Sequence, residues 1–193
     1  MNASLLDASS SVVIMVDHQA RLMPAIHDGR RVLADAACLA EAARLLGIPV
    51  IGTEQNPDKL GPIERAVRRH CDVVMAKMHF GACSDGLVNI LRPHRADGRR
   101  QIVISGCEAH VCLLQTAMQL LGAEFNVSIV ACASGSRRPR DYDLALQRIR
   151  AARGEIANLE MVLFEWLRTC ESPRFKAVLQ LIKSRSDPGI QTE

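Results

Sequence analysis

The apolar positions of the chain form short runs that alternate with longer stretches of helical periodicity. Six short segments, most of them apolar and β-branched as in strands buried on both faces, are predicted as strands: 12–16, 49–53, 73–76, 102–105, 126–132 and 155–158. Apolar residues at spacings of three and four predict helices over 30–46, 63–69, 84–94, 112–122, 141–153, 160–168 and 173–184. This alternation predicts a three-layer α/β/α sandwich around a six-stranded, mainly parallel, Rossmann-like sheet.

The length of the chain predicts a single domain, and its charge gives no sign of a nucleic-acid or membrane partner. A domain usually takes about 100–200 residues, and the chain has 193. We therefore predict a single domain over residues 1–193, with its core over 12–184 and polar tails at both ends. Charged residues make up 23% and the net charge is +3, so nothing indicates nucleic acid. No apolar run reaches the roughly 18 residues of a transmembrane helix, so no membrane association is expected.

The cysteines indicate a reducing environment. There are seven of them, an odd number without any Cys-x-x-Cys pair, which predicts free thiols rather than a disulfide framework. With no recognisable signal segment at the N-terminus, this composition favours a cytoplasmic protein.

Three chemically active side chains follow three separate predicted strands. Asp17 comes directly after the first strand and Lys77 directly after the third, while Cys112 lies beyond the turn that follows the fourth. The carboxyl ends of parallel strands meet at one edge of the sheet, where such folds bind ligands. The start of a helix favours a thiolate, so we expect Cys112 to have a lowered pKa and to act as a nucleophile.

Each of these three residues also has a structural interpretation. Asp17 could cap the following turn, Lys77 could be a solvated strand end, and Cys112 could be a small buried hydrophobic residue. The sequence leaves these alternatives open, although three such residues at one predicted edge favour a site.

Four motifs carry a resemblance to a known superfamily. They are Val16-Asp17, Lys77-Met78-His79-Phe80, the run from Gly106 to Cys112, and Ser136-Arg137-Arg138 ahead of 145–149. Over residues 12–184 the chain resembles the isochorismatase-like cysteine hydrolases. Segments 53–57, 162–165 and 175–176 are similar to the branch whose substrates are unsettled.

The resemblance implies a catalytic triad and an oxyanion hole. Asp17 would be the general base and acid, Lys77 the neighbouring cation and Cys112 the nucleophile. A non-proline cis peptide would join Cys107 to Glu108, and the backbone N–H groups of Glu108 and Cys112 would bind the oxyanion. The cysteine favours cleavage of an amide-type C–N bond in a small molecule through an acyl-thioester. Two alternatives remain: vinyl-ether hydrolysis that uses Asp17, and a binding or scaffold protein that keeps the triad with little turnover.

The substrate pocket has four candidate residues: Phe80, His110, Glu54 and Gln19. Phe80 could equally pack in the core, His110 could only fill its turn, and Glu54 could cap local backbone. Gly81 replaces the serine found in many relatives, which removes an expected polar contact there.

Neither a metal nor a cofactor is expected. Nicotinamidases of the superfamily carry an Asp-x-His ligand pair after the second strand, whereas residues 53–59 here contain no histidine. The resemblance further implies a homo-oligomer. The apolar segment 161–166 would supply such a contact or, equally well, a core helix.

Overall fold

A six-stranded sheet forms the centre of the computed structural model, which describes residues 5–185. The strands are β1 (Ser11–Val16), β2 (Val50–Gln55), β3 (Val73–Lys77), β4 (Gln101–Gly106), β5 (Asn126–Val130) and β6 (Glu155–Ala157). Their order is β3-β2-β1-β4-β5-β6, and every neighbouring pair is parallel. The predicted sheet is thus confirmed. Of the predicted tails, residues 1–4 and 186–193 lie outside the described residues. The prediction of a polar tail is wrong for the rest of the N-terminal segment, because Leu6 is buried in a hydrophobic cluster and Ser11 begins β1.

Helices cover both faces of this sheet. They are α1 (Gly29–Leu45), α2 (Pro57–Leu60), α3 (Arg65–Arg68), α4 (Leu87–Ala96), α5 (Leu114–Gly122), α6 (Pro139–Ala151), α7 (Leu159–Leu167) and α8 (Phe175–Ser184). Buried side chains of α1, α3, α7 and α8 share one hydrophobic cluster with the sheet. Those of α4, α5 and α6 share the other. The architecture is therefore the expected three-layer sandwich.

Strand β1 explains why the carboxyl ends of the strands coincide. All six of its residues are fully buried, and successive side chains enter the two clusters in alternation, as a strand covered on both faces requires. Its last residue, Val16, pairs with Thr53 of β2 and with Gly106 of β4, while Gln55 of β2 pairs with Lys77 of β3. Residues that follow β1, β3 and β4 consequently meet at one edge.

The contact between β1 and β4 at this edge requires a glycine. A Cβ at Gly106 would lie 2.5 Å from the Cβ of Val16 and 2.6 Å from its carbonyl oxygen, closer than packed atoms allow. Immediately beyond Val16, Asp17 takes a left-handed backbone conformation with φ of 54°, which is uncommon for a residue other than glycine. The chain thus turns sharply at the point where Asp17 enters the site.

Most elements begin or end within one or two residues of the predicted positions, and three differences have a clear local cause. The predicted strand 126–132 ends at Val130, because residues 131–133 form a short 3-10 turn. The predicted helix 84–94 is divided by Gly86, whose φ of 102° separates a 3-10 turn from α4. Helix α2 was not predicted, because Pro57 and its neighbours have the composition of a loop.

Two further expectations concern the whole chain. All seven cysteines are free, as predicted. No helix within residues 5–185 combines the length and apolar character needed to cross a membrane.

The close approach of β1 and β4 yields a stability prediction. Gly106→Ala should lower the free energy of unfolding by about 1–3 kcal/mol, the usual cost of overpacking, as measured by urea denaturation. Gly122→Ala is the matched control, because a Cβ there meets nothing within 4 Å; in a helix it should be neutral or stabilising by up to about 1 kcal/mol. Equal stabilities of the two variants would contradict the close approach.

Candidate active site

Three side chains from distant parts of the chain meet at the carboxyl edge of the sheet. The Nζ of Lys77 lies 2.7 Å from Oδ2 of Asp17, and both side chains are completely buried. The thiol of Cys112 interacts with both of these charged groups and is itself only 6% exposed. The structure therefore brings together the three residues that the sequence placed at separate strand ends. For Lys77, the alternative of a solvated strand end is wrong.

Asp17 is held by its neighbour on β2. Oδ1 accepts a hydrogen bond of 2.6 Å from the hydroxyl of Thr53, and the backbone N–H of Asp17 donates to the carbonyl of Thr53 at 3.1 Å. Oδ2 faces the ammonium of Lys77, and among the residues described no backbone N–H or hydroxyl group donates to it. Oδ2 is accordingly the oxygen with capacity to take a proton.

Lys77 is surrounded by acceptors. Besides Asp17, its Nζ donates to Oε1 of Gln55 at 2.7 Å and to the backbone carbonyl of Phe80 at 3.1 Å, with that of His79 at 3.4 Å. A buried ammonium is tolerated only when it is paired and hydrogen-bonded in this way. The arrangement thus holds a cation beside the thiol.

Cys112 lies in a π-helical turn, Ala109–Leu113, between β4 and α5. Its Sγ is 4.0 Å from Oε1 of Gln55. Burial raises the pKa of the thiol to about 12; the negative charge of Asp17 adds to this effect, and Lys77 opposes it. The predicted lowering of the thiol pKa is therefore wrong. Desolvation and the nearby carboxylate outweigh the ammonium, and the resting sulfur carries its proton.

The pKa of Asp17 is shifted in a direction that suits proton transfer. Burial raises it above the ordinary value, although the charge of Lys77 and the hydrogen bonds from Lys77 and Thr53 act against the shift. A carboxylate with a raised pKa is a stronger base than an ordinary aspartate. The site therefore pairs a protonated thiol with a strengthened carboxylate base.

The turn ahead of Cys112 is braced by the segment that follows β5. The peptide bond between Cys107 and Glu108 is cis. The N–H of Ala109 donates to the carbonyl of Gly135 at 2.7 Å, and the carboxylate of Glu108 accepts from the backbone N–H and from Nε of Arg137, both at 3.0 Å. Arg137 is thus paired with a carboxylate at this turn.

The four candidate pocket residues lie in different surroundings. Phe80 is 52% exposed, so the alternative of core packing is wrong for it, and His110 is half-buried with Nδ1 3.0 Å from the Ser136 hydroxyl. Gln19 is fully buried and binds the backbone of Gln55. Glu54 accepts from the N–H of Ile63 and from Arg68. Glu54 thus caps local backbone, as its alternative interpretation held.

Sequence reasoning missed two contributors, Thr53 and Gln55. Both lie on β2 at positions two apart, so their side chains share one face of the strand and reach Asp17 and Lys77. The signal available was a pair of polar residues at the end of an apolar strand, which the loop-like Asn56-Pro57 obscured.

Gly81 makes room for a side chain from another element. A Cβ at this position would lie 2.4 Å from Oε1 of Gln119 on α5. Gln119 instead accepts from the N–H of Cys83 at 3.1 Å and donates to the hydroxyl of Ser84 at 2.9 Å. A glutamine therefore occupies the space of the missing serine. Within residues 5–185, no group of three or more His, Cys, Asp or Glu side chains could hold a metal ion.

Comparison with known proteins identifies relatives that match nearly the whole of this chain. Residues 11–161 match the family model described as the isochorismatase domain. The chain is 35% identical over 189 residues to isochorismatase domain-containing protein 1 of Danio rerio, covering 96% of this chain but only 65% of that protein. It is 31% identical over 186 residues to isochorismatase domain-containing protein 2 of the same organism, covering 96% of this chain and 93% of that one.

Solved structures share the whole architecture. A structure named as the MAR1 ribonuclease of Caenorhabditis elegans has a TM-score of 0.88 and 27% identity, covering 98% of each chain. YcaC of Pseudomonas aeruginosa, solved with hexane-2,5-diol and covalent acrylamide, has a TM-score of 0.82 and 25% identity. The match covers 95% of this chain and 98% of that one. The Escherichia coli YcaC gene product, described as an octameric hydrolase of unknown specificity, has a TM-score of 0.86 at 22% identity. The match covers 97% of this chain and 93% of that one.

The charges around the thiol predict opposite effects of two substitutions. Asp17→Asn removes the negative charge that raises the Cys112 pKa, so alkylation of Cys112 by iodoacetamide should move to lower pH. Lys77→Met removes the opposing positive charge and should move alkylation to higher pH. In the unmodified protein the rate should keep rising from pH 7 to 10, as a pKa of about 12 requires.

Mass spectrometry of the Cys112 peptide measures these rates, and the exposed Cys170 serves as an internal control. A rate that levels off near pH 8 in the unmodified protein, or shifts of the same sign in both variants, would contradict the assignment.

Proposed function

The chain belongs to the isochorismatase family, and on that premise we propose that it is a hydrolase that cleaves an amide-type C–N bond of a small molecule through an acyl-thioester on Cys112. The observation that carries this proposal is the buried group of one acid, one amine and one thiol, with Asp17 and Lys77 2.7 Å apart. A nucleophile, a proton acceptor and a fixed cation are the parts that acyl transfer to sulfur needs.

The acylation step follows from the protonation states of the site. As Sγ of Cys112 attacks the carbonyl carbon, Oδ2 of Asp17 takes the thiol proton and the C=O π electrons move to oxygen. The ammonium of Lys77 stabilises the negative charge that develops on sulfur. When the tetrahedral intermediate collapses, the C–N bond breaks, and Asp17 gives its proton to the leaving amine.

Deacylation uses the same residues in reverse. Water attacks the thioester carbonyl while Asp17 accepts its proton, the C–S bond breaks, and the proton returns to sulfur as the carboxylic acid leaves. In both steps the backbone N–H groups of Glu108 and Cys112 hold the oxyanion. The position of Glu108 on a turn fixed by Arg137 and Gly135 supports this assignment.

A structural neighbour suggests a covalent probe for the thiol. The Pseudomonas aeruginosa relative carries covalent acrylamide, and acrylamide is an electrophile that adds to thiols. Acrylamide is therefore a suitable label with which to test the reactivity of Cys112 in this chain.

Vinyl-ether hydrolysis is the second candidate, and one observation favours it. The raised pKa of Asp17 keeps a larger fraction of this carboxyl protonated at neutral pH than in an ordinary aspartate. Ether cleavage begins with a proton given to the vinyl group, which a protonated carboxyl can supply. Such a reaction depends on Asp17 and does not use the thiol.

The proposal includes the setting in which the enzyme works. The segment 161–166 divides between two roles: Val162, Leu163 and Trp166 are buried, whereas Met161 and Phe164 are 48% and 42% exposed on α7. These exposed apolar side chains, together with the octameric state of the Escherichia coli neighbour, support a homo-oligomer. The seven free thiols support a reducing, cytoplasmic location.

The proposed reaction predicts which variants lose turnover. On a panel of small amides and ureides, Cys112→Ala and Asp17→Asn should each lower kcat/KM for a hydrolysed substrate by at least about a thousandfold, since both remove an essential group. Release of amine or ammonia and of the carboxylic acid is measured, and mass spectrometry of a trapped acyl-enzyme shows the thioester.

The same variants separate the other interpretations. If the ether reaction holds, the Asp17→Asn variant should no longer turn over isochorismate, whereas the Cys112→Ala variant should still do so. A short RNA belongs in the panel because one structural neighbour is named a ribonuclease. Turnover of an amide that survives Cys112→Ala, or binding without turnover of any member, would contradict the proposal.

A further inference from the structure

The side chain of Gln55 lies between the ammonium and the thiol of the site. Its Oε1 is 2.7 Å from Nζ of Lys77 and 4.0 Å from Sγ of Cys112. Among the neutral side chains of the described residues, Gln55 is the one with a hydrogen-bond contact to both groups. Gln55 is 8% exposed, so water has little access to replace it.

The orientation of this amide is fixed at its other end. Nε2 of Gln55 donates a 2.8 Å hydrogen bond to the carbonyl of Met78, so only Oε1 can face the ammonium. The backbone of Gln55 is also held on both sides by Gln19, whose Oε1 accepts from the Gln55 N–H at 2.9 Å and whose Nε2 donates to the Gln55 carbonyl at 3.1 Å. These contacts fix the Gln55 side chain with its amide oxygen toward Lys77 and its amide nitrogen toward Met78.

The acceptors around Lys77 show why this position matters. Asp17 and the backbone carbonyls of His79 and Phe80 also bind the ammonium. Of these three, Asp17 interacts with the thiol as well, and it carries a negative charge. Gln55 is the neutral acceptor that also contacts the thiol. Without it, the ammonium retains the carboxylate and the carbonyls, and nothing uncharged holds it toward the sulfur.

We propose that Gln55 is a positioning residue that fixes the Lys77 ammonium beside the Cys112 sulfur, so that the cation stabilises the charge formed there. The inference rests on the proposed function, since it assumes that Cys112 reacts as a nucleophile. Gln55 acts through Lys77 and has no covalent or proton-transfer step of its own.

Two substitutions test this role through the reactivity of the thiol. Gln55→Met keeps the size and removes the acceptor, so alkylation of Cys112 by acrylamide should slow by about 10- to 100-fold at each pH, the effect of losing one hydrogen bond to a charged group. Gln55→Glu keeps an oxygen for the ammonium and adds a negative charge near sulfur, so the pH dependence should move to higher pH.

The matched control is Gln119→Met. Gln119 likewise binds a neighbouring loop through both ends of its amide, at Cys83 and Ser84, and contacts neither Lys77 nor the thiol. Alkylation of Cys112 in this variant should stay within about twofold of the unmodified protein. In a Lys77→Met background, Gln55→Met should cause no further slowing, because the two residues act as one unit.

Each outcome decides between positioning and a merely structural role. The inference is overturned if Gln55→Met alkylates at the original rate, if it slows the reaction equally in the Lys77→Met background, or if Gln119→Met slows it as much with a similar fall in Tm. Should Gln55→Met fail to fold, a pH dependence of Gln55→Glu that is not displaced overturns it.

Failure of the proposed function has a different signature. In that case Cys112→Ala retains turnover of the substrate, whatever Gln55→Met does to alkylation. Conversely, loss of turnover in Cys112→Ala with unaltered alkylation in Gln55→Met leaves the proposed function intact and removes only the positioning role.

Discussion

The ion pair between Lys77 and Asp17 is the interaction on which the site depends. Both charges are completely buried, and burying either one alone would cost several kcal/mol. Their stability in the interior requires the 2.7 Å contact together with the hydrogen bonds from Thr53 to Asp17 and from Lys77 to Gln55 and Phe80. The end of β2 and the loop after β3 therefore serve mainly to compensate two charges brought together by the parallel register.

This buried pair also decides how the thiol can react. Because burial and Asp17 raise the pKa of the Cys112 thiol well above its ordinary value, almost none of this sulfur is ionised at pH 7. A resting thiolate is consequently not what the proposed reaction uses. The sulfur must lose its proton as it attacks, and the base beside it has the raised pKa that makes such a transfer favourable. Lys77 then acts on the charge that forms during the step.

The sequence was sufficient for the sheet and for the three residues at its edge, because both follow from strand periodicity and parallel topology. It was not sufficient for the surroundings of those residues. Gln55 and Gln119 act through contacts between elements far apart in the chain, which periodicity does not encode. The thiol pKa was predicted with the wrong sign because a helix start is a local feature, whereas desolvation depends on the packing of the whole fold.

The turn that carries the thiol is fixed by backbone contacts on both sides, whereas the loop after Lys77 exposes side chains. The N–H of Cys107 donates to the carbonyl of Val16 at 3.0 Å, and Cys107 bridges to Gly135 on the other side, so the turn continues the sheet rather than forming a free loop. The loop beyond Lys77 differs: its backbone binds the ammonium, while the side chains of Met78 and Phe80 are 64% and 52% exposed. Under the proposed function, substitutions in these exposed side chains can change the substrate without disturbing the charges, because only their backbone is part of the buried network.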